Sequence, residues 1–180
     1  MQLYICRHGE TEWSLSGKHT GKTDLPLTPN GRAQAAILRK RLQAIEFEKI
    51  FTSPKKRALE TCEGMGAVVE PLLAEWDYGD YEGQTRQQIG PGWDLFTQGA
   101  PGGESPDQVA QRADEFLKMA TQYKGKILVF SHGHFSKVLT ARFLKQPPEM
   151  GKLLSLNVAS LSILGHDRGG PVILLWNLEF

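Results

Sequence analysis

Three stretches of this 180-residue sequence run from apolar residues directly into basic ones. Leu3, Tyr4, Ile5 and Cys6 end in Arg7, His8 and Gly9; "KIFTS" leads through Pro54 to Arg57; and the run 126–131 is followed by His132, Gly133 and His134. Two arginines and two histidines, with no carboxylate or cysteine among them to share a metal, would make a cationic pocket, and phosphate is the anion such a pocket fits. Arginine presents a planar fork of donors that matches phosphate oxygens and does not deprotonate, so Arg7 and Arg57 would hold a phosphoryl group and neutralise charge in its transfer. Histidine adds a different capacity: a neutral imidazole attacks phosphorus near pH 7, and water cleaves the resulting phosphoramidate.

For these side chains to meet, the chain must bring three loops together. The short apolar runs at 3–6 and 126–131, bounded by polar residues, read as strands buried in a sheet. Between them lie helices. Thr28 and Pro29 give an N-cap and first-turn proline, and Ala35, Leu38, Leu42 and Ile45 form one apolar stripe. Ser53 and Pro54 repeat that signature before a helix carrying Arg57, Ala58, Leu59 and Cys62. Ser105 and Gln108 have capping-box spacing around Pro106, with Val109, Ala113, Phe116, Leu117 and Ala120 as the buried face. A further helix follows His132 through Val138, Leu139 and Phe143, and 161–165 and 172–176 flank "HDRGGP" as two strands and a turn. Alternating strands and helices predict an α/β fold, a three-layer αβα sandwich around a mainly parallel sheet, as one domain over 1–180. The loops after the first, second and 126–131 strands then open on one edge, where ligands bind in such sheets.

Composition limits the partners. With 21 basic and 20 acidic residues the net charge is +1, so no global field recruits nucleic acid or an anionic membrane, and affinity for anions must be local. No stretch approaches the roughly 20 apolar residues of a membrane helix. Cys6 and Cys62 sit inside apolar patterns without metal or disulfide spacing, as expected of reduced, buried thiols in a cytoplasmic protein.

"RHGET", "TGKTDLPLTPNG", "SPKKRALET", "EWDYGDYEG" and "SHGH" occur in that order over nearly the whole chain. Together they resemble the histidine phosphatase superfamily, also called the phosphoglycerate mutase-like family. The resemblance implies that His8 is the phosphorylated nucleophile and that Arg7, Arg57 and His132 complete the phosphate pocket. Glu75 matches the family's proton donor; the residues alone do not choose among Glu75, Asp77, Asp80 and Glu82. Such a donor is needed because a departing alkoxide must be protonated, and a carboxyl group beside a phosphate dianion holds its proton more tightly. Ser14 falls where relatives often have Asn after Trp, and is expected to contact phosphate; Thr20, Gly21 and Glu82 are expected to bind substrate. Lys18, His19 and Lys22 could meet a second anionic group, and Trp76, Tyr78, Tyr81 and Trp93 either line the pocket or pack behind it. His134 is expected to cap or pack at the start of its helix rather than bind metal.

The expected activity is metal- and cofactor-independent hydrolysis of a small phosphorylated metabolite, with a lean toward sugar bisphosphates such as sedoheptulose bisphosphate. A mutase, a non-catalytic phosphoryl-binding module and a phosphoprotein phosphatase are the alternatives. Against a mutase, the chain lacks a long insertion between the Arg57 helix and "SHGH"; against action on phosphoproteins, the loop residues of 84–104 read as a lid over a small molecule.

Overall fold

The computed structural model, which describes residues 1–180, makes the opening apolar run a strand, β1 (Gln2–Arg7). There follow α1 (Glu12–Leu15), α2 (Pro29–Leu42), β2 (Lys49–Thr52), α3 (Lys56–Thr61), β3 (Val68–Val69), α4 (Arg86–Ile89) and α5 (Leu95–Gln98). The chain continues through α6 (Pro106–Ala120), β4 (Lys126–Ser131), α7 (Gly133–Phe143), β5 (Leu161–Asp167) and β6 (Gly170–Leu178). The strands form one sheet in the order β3-β2-β4-β1-β5-β6. Pairings among β1, β2, β3 and β4 are parallel, while β5 and β6 add an antiparallel edge.

Alternate residues of a strand face opposite sides, and both sides of β1 are covered. Leu3 and Ile5 join a core with Val109, Phe116, Val138 and Leu139 under α6 and α7, whereas Tyr4 and Cys6 pack with Leu38, Leu42 and Cys62 under α2 and α3. This is the three-layer αβα sandwich expected from the sequence.

Register then sets the height of the site. Arg7 pairs with Ser131 and Thr52 with Phe130, so His8, Ser53 and His132 emerge together at the carboxyl edge of the sheet. The loop after β1 is locked from below: Gly9 and Gly31 cross closely enough that a Cβ on Gly9 would lie 2.5 Å from Gly31 O. Thr28 caps α2 by accepting from Gly31 N, and its hydroxyl donates to Glu10 Oε1. The "TPNG" motif thus buttresses the "RHGE" turn.

Some local expectations shift. The helix bearing Arg57 begins at Lys56 with Lys55 at its N-cap, not at Ser53, whose Oγ accepts from Lys55 N and from His132 Nε2. Ile45 lies past the end of α2, and on α6 Ala110 is buried while Leu117 is only partly so. The stretch 84–104 contains α4 and α5 and inserts Trp93, Leu95 and Phe96 into the core, so it is not a free loop.

Candidate active site

At the carboxyl edge of β1 and β4 lies a cavity of about 160 Å³ whose wall includes Arg7, His8, Ser14, Glu75 and Lys137. His8 is pinned by its backbone, with its N–H donating to Ser131 O and its carbonyl accepting from Ala159 N. Its ring Nδ1 lies 2.7 Å from Gly9 O. A carbonyl only accepts, so the proton is on Nδ1 and Nε2 carries the lone pair, with no partner in the chain. Burial first, then the nearby Arg57 and Arg7 charges, holds the imidazole well below its ordinary pKa, so it is neutral at pH 7. Arg7 donates through Nη1 to Leu156 O, while its Nε is buried without an acceptor.

Arg57 and His132 are fully buried and do not reach the cavity surface. The His132 ring lies 5.2 Å from that of His8. Arg57 Nε donates to His132 Nδ1 at 3.1 Å, and His132 therefore carries its proton on Nε2, donating to Ser53 Oγ at 2.7 Å. Burial, then Arg57, keeps this ring neutral too. The other Arg57 donors go to the carbonyls of Thr20, Gly21 and Thr23. Arg7 and His8 line the cavity, and Arg57 and His132, expected from the sequence to complete the phosphate pocket, lie buried beside His8 as a hydrogen-bonded pair. From there Arg57 shapes the field at His8 and ties down the loop at 20–23.

Of the four acids in "EWDYGDYEG", Glu75 lines the cavity. Its Oε1 accepts from the backbone N–H of Trp76 and Phe135, and Oε2 from that of His134. Two of these donors belong to the first turn of α7. Oε1 is saturated; Oε2 retains a lone pair for a proton. Arg112, on α6, fixes the chain leading to Glu75 by donating to the carbonyls of Leu72, Ala74 and Glu75 while pairing with both carboxylate oxygens of Glu104. Nothing in the sequence marked it, since a mid-helix arginine ordinarily points to solvent.

Glu82 is not on the cavity wall. Its carboxylate accepts from Gly21 N and Thr23 N, holding the substrate-side loop instead of facing the cavity. Gly21 is required there, since a Cβ would lie 2.5 Å from Trp76 O; it too lies behind the wall, and Thr20 is on it. Ser14 lines the cavity, but its hydroxyl donates to Thr11 O and accepts from Thr11 N in the capping box of α1. Lys18 and His19 border the cavity, whereas Lys22 pairs with Asp77 outside it. Trp76 is core and Tyr78 is on the wall. Burial, then Glu75, raises the Tyr78 phenol well above its ordinary pKa, so it donates to His134 Nδ1 at 2.6 Å. His134 stacks on His19 at 5.9 Å. Lys137 also faces the cavity, and its position four residues after Gly133, on the same helical face, is the sequence signal for it.

No group of three or more His, Cys, Asp and Glu side chains is placed to hold a metal ion, and no helix is long and apolar enough to cross a membrane. The assembled chemistry is a neutral imidazole, a guanidinium with a free donor and a carboxyl group around one small polar cavity.

Comparison with known proteins gives the family. An acid phosphatase of Mycobacterium tuberculosis is 40% identical over 178 residues, covering 93% of this chain and 88% of that protein. Sedoheptulose 1,7-bisphosphatase of Saccharomyces cerevisiae is 34% identical over 76% of this chain and 65% of its own length. A solved structure of an open reading frame product from M. tuberculosis superposes with a TM-score of 0.94 at 38% identity, covering 99% of this chain and 97% of that one. Residues 3–179 match the family described as the histidine phosphatase superfamily (branch 1), and the chain belongs to that family.

Proposed function

We propose that this protein is a phosphomonoesterase that hydrolyses a small phosphorylated metabolite through a phosphohistidine at His8. One observation carries the reading: the neutral His8 ring is fixed by Nδ1–H to Gly9 O, its Nε2 has no partner in the chain, and Arg7 lines the same cavity. Nε2 attacks phosphorus, the bond from phosphorus to the ester oxygen breaks, and that oxygen takes the proton from Glu75 Oε2. The ring, now bonded at Nε2 and still protonated at Nδ1, gains positive charge that Gly9 O meets. Arg7 stabilises the phosphoryl oxygens. A water molecule then gives a proton to Glu75 and attacks phosphorus, releasing inorganic phosphate and regenerating neutral His8.

The likeness to an acid phosphatase and to a sedoheptulose bisphosphatase supports hydrolysis and a small substrate. Between α3 and β4 the chain carries only short elements ahead of α6, so the phosphohistidine stays accessible to water, which favours a phosphatase over a mutase. A cytoplasmic location belongs to the same reading. The test is a panel of phosphorylated metabolites, sugar bisphosphates included, assayed for phosphate release with a chelator present. Release by the wild type and none by His8→Ala is expected. Turnover by His8→Ala, activity that needs added metal, or isomerisation of 3-phosphoglycerate with little free phosphate would each reject part of the proposal.

A further inference from the structure

Three cations border the cavity, and two have identifiable partners there. Arg7 holds Leu156 O, and the Lys18 ammonium sits over the Trp13 ring at 5.5 Å. Lys137 is different. It is half-buried on the first turns of α7 and makes neither a hydrogen bond nor an ion pair; every salt bridge in the chain involves other residues. Glu75, the acid on the same wall, already accepts three backbone N–H bonds. Burial, then the Arg7 charge, lowers the pKa of the Lys137 ammonium, with Glu75 offsetting part of that; no side chain pairs with it directly.

Its position relative to Arg7 follows from helix geometry. A Cβ placed on Gly133 would lie 3.4 Å from Arg7 Cζ, so Gly133 marks the height of the Arg7 guanidinium. Lys137 is four residues later on the same face, about 6 Å along the axis, and helical side chains lean back toward the N-terminus. Lys137 therefore borders the same cavity as Arg7 and His8, about one helical turn beyond Gly133.

We infer that Lys137 is a specificity-determining residue that receives a second anionic group of the substrate, a carboxylate or a second phosphate carried close to the scissile phosphoryl group. This rests on the phosphatase reading for the position of the first phosphoryl group. A monoester with no other charge would occupy Arg7 and leave Lys137 unmatched. A charged hydrogen bond at such a site is worth about tenfold in affinity.

The experiment compares competitive inhibition of p-nitrophenyl phosphate hydrolysis by methylphosphonate, which has one anionic group, with inhibition by phosphonoacetate and by methylenediphosphonate, which have two. In the wild type both two-anion inhibitors should bind more tightly than methylphosphonate. Lys137→Met should reduce that preference about tenfold, in the arm whose second group Lys137 receives, and Lys137→Arg should keep it. Lys137→Gln, with circular dichroism on each variant, covers a folding defect in the Met variant. An unchanged preference in both arms overturns the inference. So does an equal weakening of all three inhibitors, which would put Lys137 on the transferred phosphoryl group instead. If the wild type does not turn over p-nitrophenyl phosphate, the phosphatase reading fails separately, and calorimetric titration with the same three phosphonates still decides the role of Lys137.

Discussion

Replacing Glu75 by Gln removes one proton and leaves the shape of the site nearly intact, so it isolates the acid's contribution. The amide oxygen can take the place of Oε1 and keep the bonds from Trp76 N and Phe135 N, but the amide nitrogen then faces His134 N–H, which loses its acceptor. One unmet buried donor costs about 1–3 kcal/mol, which for a chain of this size lowers Tm by roughly 2–12 °C. The variant should therefore fold at 25 °C. Its catalytic loss should depend on the leaving group, since general acid catalysis contributes on the order of 10²–10⁴-fold only where the departing oxygen needs a proton. A sugar alkoxide does; p-nitrophenolate hardly does. The assay is the pre-steady-state burst of leaving group, because Glu75 also serves as base in dephosphorylation and overall turnover would mix the two steps. With glucose 6-phosphate the burst rate should fall by about 10²–10⁴-fold, and with p-nitrophenyl phosphate by far less. Glu82→Gln should show no leaving-group dependence, since Glu82 holds the backbone of Gly21 and Thr23. Equal losses for both substrates in Glu75→Gln, or a leaving-group effect in Glu82→Gln, would refute the assignment.

Two further outcomes follow from the same contacts. Arg112→Met removes the bonds to Leu72, Ala74 and Glu75 carbonyls and should reproduce the Glu75→Gln pattern more weakly, with a burst loss of about 10–100-fold for sugar phosphates, because it displaces the acid without deleting it; a substrate-independent loss would make Arg112 merely structural. His8, His132 and His134 are all held neutral well below their ordinary pKa, chiefly by burial. In the unfolded chain they take up protons near pH 6.5 while the folded form does not, so stability present above that value should fall as pH drops below it, by up to about 1.4 kcal/mol per pH unit for each ring. Urea unfolding at pH 7 and pH 5.5 measures this, and equal stabilities would contradict it.

Much of this site was legible because strand ends are legible. The abrupt change from Cys6 to Arg7 and from Ser131 to His132 marks where β1 and β4 stop, and parallel register then brings His8 and His132 side by side. The capping box at Ser105 and Gln108 is a purely local signal and held in the fold. Signals failed where a side chain served a distant partner. Ser53 has the composition of a helix cap, but its hydroxyl also accepts from His132, 79 residues away. Glu82 looks like a substrate ligand until the 20–23 backbone folds onto it. Arg112 and Lys137 look like solvent-facing helix residues, and only the packing of α6 and α7 turns one toward the chain at 72–75 and the other into the cavity. Four-residue α4 and α5 are too short for periodicity to reveal.

The central claim is that the phosphoryl group passes through His8 Nε2. Mixing enzyme with p-nitrophenyl phosphate, quenching in alkali within the first turnover and mapping peptides by mass spectrometry tests it directly. One phosphoryl group is expected on the peptide carrying His8, attached at Nε2 because Gly9 O holds the proton on Nδ1, and none in His8→Ala. A phosphoryl group on His132 or His134, attachment at Nδ1, or a full burst of p-nitrophenol with no phosphorylated peptide would contradict it.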